Sequence, residues 1–70
     1  MDTLQDLQEQ ERKCIAKFRA KAAQLRAQDA RLSPSIAAAM AYESLPRTMN
    51  TYLSVRSRLA LAGIAALPLR

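Results

Sequence analysis

From Leu4 to Arg31 the chain contains neither glycine nor proline, and its only β-branched residue there is Ile15. Inside a helix glycine costs about 1 kcal/mol and proline about 3, so nothing in this stretch works against a helix. The breakers the chain does hold, Pro34, Pro46, Gly63 and Pro68, all lie beyond it. Glycine and valine occur once each, which leaves little material for a sheet. One long helix followed by shorter ones is therefore the expected order.

Local signals set the boundaries. Thr3, followed three residues later by Asp6, resembles a capping box, and the early acids lie near the positive end of the helix dipole. The first helix is predicted over about residues 3–31. Ser33 is a favoured N-cap and Pro34 a favoured first helical residue, so a second helix is predicted over 34–44, with Ile36, Ala37, Met40 and Tyr42 facing inward.

Pro46 leaves two alternatives. In a helix interior it would remove the bond to the Tyr42 carbonyl at a cost of about 3 kcal/mol or more; a new helix beginning at Pro46 avoids that loss. The second alternative predicts a third helix over 46–62, ended by Gly63 in the left-handed conformation. Its inner stripe is Met49, Tyr52, Leu53, Leu59 and Ala60. The other alternative is one kinked helix. The apolar tail, with Ile64, Leu67 and Leu69, is expected to fold back over an open edge of the core or to meet a partner.

The first helix carries an apolar stripe of Leu4, Leu7, Cys14, Ile15, Phe18, Ala22, Leu25 and Leu32, interrupted by Glu11, Lys21 and Gln28. The stripe is too broken for a long autonomous coiled coil and suits one arm of a helical hairpin, or a helix laid along a small domain. The expected fold is all-α, a single helical domain over residues 1–70 forming a small bundle. A core of this size rarely supplies more than about 3–5 kcal/mol. Cys14 has no partner for a disulfide and the chain has no histidine for an ordinary zinc site. Oligomerisation, as a homodimer, or docking on a partner is the expected supplement.

Charge is distributed unevenly. Residues 1–11 hold Asp2, Asp6, Glu9 and Glu11 without a cation, whereas all eleven Lys and Arg residues follow from Arg12 onward, opposed by Asp29 and Glu43 alone. So basic a chain prefers anionic partners. In the first helix Arg12, Arg19 and Arg26 recur every seven residues, and Lys13, Lys17 and Lys21 every four. Glu9 can offset Lys13, but no acid stands at helical spacing from Lys17 or Lys21. These rows read either as a ridge for phosphates or an acidic protein surface, or as a solvated helix face. Cys14 admits a reactive thiolate beside Lys13 and Lys17, or a small buried hydrophobe on the stripe.

In the third helix Arg47, Asn50, Thr51, Ser54 and Arg58 share one side. From Leu45 to Leu59, LPRTMNTYLSVRSRL resembles the recognition helix of LuxR/FixJ-type helix-turn-helix domains through Thr48, Met49, Tyr52 and Arg58. The resemblance implies that Arg47, Asn50, Thr51 and Ser54 face the major groove, with phosphates fixing the register.

Two functions are open. In the first, a small homodimeric regulator binds duplex DNA with Arg47, Asn50, Thr51, Ser54 and Arg58, while Arg12, Lys13, Lys17, Arg19 and Arg26 contact phosphate. The alternative is a helical protein-interaction module (a co-chaperone, assembly factor or inhibitor of a larger complex, of phage or plasmid type) that meets an acidic protein surface. Catalysis is not expected: there is no histidine for proton transfer near neutral pH and no glycine-rich loop for phosphate, and no cofactor or metal is implied. The acidic N-terminus does not resemble a secretion signal. The longest uncharged runs, Leu32–Tyr42 and Leu59–Leu69, fall short of the roughly 20 residues of a membrane span. A soluble, cytoplasmic location is expected.

Overall fold

The computed structural model describes residues 3–65. It contains three helices in chain order, α1 (Leu4–Gln28), α2 (Pro34–Ser44) and α3 (Pro46–Leu61), and the described residues hold no strand. None of the helices is long and apolar enough to cross a membrane.

Each helix begins where its sequence sets the cap. The Thr3 hydroxyl accepts from the Asp6 amide at 3.2 Å and the Asp6 carboxylate accepts from the Thr3 amide at 3.3 Å, closing the capping box. At Asp29 the chain leaves the helix, because the Asp29 carboxylate accepts from the Arg31 amide two residues on, at 3.0 Å. That Asx-type turn competes with further helix. A bond from the Leu32 amide to the Asp29 carbonyl completes the turn. Ser33 then caps α2 by accepting from the Ile36 amide at 3.2 Å, with Pro34 in the first helical position.

The break falls at Leu45. Its backbone (φ −125°, ψ 65°) is non-helical, as the residue before a proline prefers, and α3 starts at Pro46 without a side-chain cap. Leu45 instead places its side chain against the core. At the far end Gly63 has φ 79°. Its amide donates to the Ala60 carbonyl at 3.0 Å and the Ile64 amide donates to Leu59 at 2.9 Å. This is a Schellman motif, accompanied by its usual apolar contact between Ile64 and the cluster containing Leu59.

The helices form a hairpin with a divided return arm. Both α2 and α3 pack mainly on α1 and make far less contact with each other. The molecule measures 41 × 20 × 15 Å, and α2 and α3 laid end to end account for about 40 Å at 1.5 Å per residue. The core runs along the seam in two clusters. Cys14, Ile15, Phe18 and Tyr52 form one, with Tyr42, Leu45 and Met49 against it. Leu7, Val55 and Leu59 form the other, nearer the open end, with Ile64 packed on it.

The chain's single phenylalanine and both tyrosines meet in the first cluster. Phe18 of α1 lies edge-to-face with Tyr42 of α2 (centroids 5.0 Å apart) and with Tyr52 of α3 (5.9 Å). Such pairs add about 0.5–1.5 kcal/mol beyond burial, and here they tie both pieces of the return arm to α1 at one point.

Several inward assignments differ from the sequence reading. On α2 the fully buried residues are Ala37 and Ala41, while Ile36 and Met40 are 54% and 38% exposed. Small side chains at the seam let the helix backbones approach, and the bulkier pair is turned out. On α3 Val55 is buried, whereas Leu53 is 55% exposed and Ala60 lies at the surface. With Tyr52 and Leu59 fixing the inner line, the residue three beyond Tyr52 stays near it and the one directly after is rotated about 100° away. Leu4 is also exposed at the helix start. Ile64 folds onto the core as expected, and Leu67 and Leu69 lie outside the described residues.

Candidate nucleic-acid interface

The apolar line of α3, Tyr52, Val55 and Leu59, is seated on α1 and leaves the opposite side of the helix in solvent. Arg47, Asn50, Thr51, Ser54 and Arg58 are all exposed on that side, within a sector of about 100° at the helical step per residue. The helix from Pro46 to Leu61 contains no acidic residue. Arg47, Asn50, Thr51 and Ser54 thus present donors and acceptors at the surface, and their own helix holds no carboxylate.

Arg12, Lys13, Lys17, Arg19 and Arg26 are likewise exposed, on α1. Lys13 lies 3.9 Å from Glu9 one turn earlier, a solvated pair worth at most about 0.5 kcal/mol. The Arg26 side chain donates to the Leu32 carbonyl at 3.3 Å, so it also steadies the turn into α2. The buried stripe divides these cations into two sets. The arginine row runs along one flank of α1 and the lysine row along the other, and the ten residues do not form one continuous patch.

Glu11 and Arg56 hold α3 in its setting. Glu11, which interrupts the apolar stripe in the sequence, is 1% exposed. Its Oε2 accepts from Arg56 Nη1 at 2.6 Å, and Arg56 Nη2 donates to the Ile64 carbonyl at 2.9 Å. One guanidinium therefore joins α1, α3 and the turn beyond α3, and no buried side-chain polar atom among the described residues lacks a partner. Sequence reading missed this pair because each residue, taken alone, looks like an ordinary surface charge. The available signal was positional: each stands on the inner line of its helix, Glu11 between Leu7 and Cys14 and Arg56 between Tyr52 and Leu59.

Cys14 is buried. Burial pushes its thiol up from the ordinary 9.0, the Lys17 ammonium pulls against that, and the Glu11 carboxylate adds to the rise. The thiol is thus a core hydrophobe at neutral pH, and the thiolate reading is set aside. Tyr52 is raised from 10.0 chiefly by burial, with Glu11 pushing the same way and Arg56 opposing. Comparison of the chain with family models, with curated proteins and with solved structures gives no match in any of the three.

Proposed function

We propose that the protein is a small non-enzymatic regulator that binds duplex DNA through α3. The observation that carries this reading is the acid-free, outward face of Arg47, Asn50, Thr51, Ser54 and Arg58, on a helix packed against α1 by its other side. A net charge of +5 supplies the attraction to phosphate, and a regular helix is narrow enough to enter a major groove. The LuxR/FixJ-type resemblance of residues 45–59 points the same way. Support for α3 comes mainly from α1 rather than from α2, so the recognition helix would be presented by a hairpin. The test is titration of a mixed-sequence duplex at several salt concentrations. Affinity is expected to fall linearly with salt on logarithmic axes, with a slope of about −0.9 per phosphate engaged. Absence of binding at low ionic strength rejects the reading.

A second reading is favoured by a different observation: Ile36 and Met40 project from adjacent turns of α2, with Leu53 exposed on α3. On this reading the chain is a protein-interaction module, self-associating as a homodimer or docking on an acidic protein surface.

A further inference from the structure

Resting on the nucleic-acid reading, we infer that the phosphate-binding face joins the lysine flank of α1 to α3, with Lys17 and Lys21 beside Arg47 and Thr51, and that the arginine row of α1 takes no part in it. The argument comes from the way the two helices meet. On α1, Glu11 and Phe18 mark the inner line. At 100° per residue Leu7 and Cys14 fall to one side of that line, with Lys21 and then Lys17 further round the same way. Ile15 falls to the other side, and beyond it lie Arg12, Arg19 and Arg26. On α3, Tyr52 and Leu59 mark the inner line. Val55 falls to one side of it, with Thr51, Arg58 and Arg47 beyond; Arg56 falls to the other, with Ala60 and Leu53 beyond.

The core shows which sides adjoin. Leu7 and Val55 share a cluster, so the flank of α1 holding Lys17 and Lys21 lies on the same side of the hairpin as Thr51, Arg58 and Arg47. Met49 packs against the cluster that holds Ile15, and helical spacing puts both toward the opposite edge, which leaves the arginine row on the side of the exposed Leu53. The level along the helices follows from the antiparallel contacts. Leu7 shares a cluster with Leu59, Glu11 bonds Arg56, and Cys14 and Ile15 share a cluster with Tyr52. Continuing that progression puts Lys17 level with Asn50, next to Thr51, and Lys21 level with Pro46, next to Arg47.

Charge completes the case. Between Lys13 and Gln28 α1 has no acid, and α3 has none at all, so this side of the seam is cationic from both helices. Lys13, by contrast, has Glu9 beside it. Packed helices lie about 8–10 Å apart, so a duplex strand following α3 would pass within reach of the flexible lysine stems. Lys21 was read from the sequence as an interruption of the apolar stripe. In the structure it is half-buried, as a long cationic side chain can be when its stem lies along apolar surface.

The experiment compares duplex binding of the full chain, K17Q/K21Q and R12Q/R19Q across a salt series, with helicity checked by circular dichroism. Wild type is expected to bind, and K17Q/K21Q to weaken binding with a salt slope smaller by about 2. R12Q/R19Q is expected to change the slope by less than 1. A folded R12Q/R19Q that loses slope while K17Q/K21Q keeps it overturns the assignment of the face but leaves DNA binding standing. No duplex binding by wild type overturns both. Retention of an acidic polypeptide that depends on Lys17 and Lys21, without duplex binding, assigns the face to a protein partner and likewise overturns the proposal.

Discussion

Arg56 shows how much one side chain can hold together in a chain this small. Removing it leaves the Glu11 carboxylate buried without its cation, and breaking a buried pair in this way costs about 3–5 kcal/mol. That matches the whole stability expected of such a core, about 3–5 kcal/mol. R56M is therefore expected to be largely unfolded at 25 °C by circular dichroism. Replacing both partners with apolar residues, as in E11L/R56M, is expected to restore a cooperative transition, since the desolvation of two charges disappears together. A second residue-scale expectation concerns alkali. The folded state holds the Cys14 and Tyr52 protons more tightly than the unfolded chain, whose groups ionise near 9.0 and 10.0. Their contribution to stability is intact below those values and is lost as pH rises through the raised folded values. The denaturation midpoint is expected to fall above about pH 9, and C14A is expected to lose the earlier part of that fall.

At the scale of the element, the caps lend themselves to independent substitution. Ser33→Ala removes the acceptor for the Ile36 amide, and loss of an N-cap costs about 1 kcal/mol. Gly63→Ala tests conformation alone, because a Cβ at Gly63 would meet nothing within 4 Å while φ stays at +79°. The left-handed backbone then costs about 1–2 kcal/mol. Chemical denaturation should show both losses, adding closely in the double variant because the two sites share no partner. These features were legible in the sequence: Thr3 with Asp6, Ser33 with Pro34, the stop at Pro46 and the exit at Gly63 each act through neighbours a few residues away. The inner line of each helix was less so. Ile36 and Met40 outrank Ala37 and Ala41 in hydrophobicity, yet the alanines are buried because close approach of α2 to α1 was worth more at the seam.

For the whole molecule the open question is what the hairpin meets. Its one-layer seam leaves Ile36, Met40 and Leu53 exposed, and a core of this size gains from a second subunit. Light scattering after size-exclusion chromatography is expected to give twice the 7.8 kDa chain mass, and I36E/M40E to return it to the monomer with its helicity retained. A wild-type monomer at high concentration would exclude the homodimer. The same run with added duplex reports nucleic-acid association separately. The candidate site was legible in part. The polar face of α3 follows from helical spacing alone, whereas the choice between Lys17 with Lys21 and the arginine row depends on which flank of α1 lies beside α3.

By itself the sequence left open whether Pro46 kinks one helix or divides two, but it determined the order of the helices and their main start and stop signals. Those depend on caps, prolines and one glycine, whose effects reach no further than a turn of helix. Only the tertiary structure decided what each helix turns inward. Burial is a property of a pair of surfaces, and a charge such as Glu11 is tolerable inside only when Arg56 arrives from forty-five residues away to meet it.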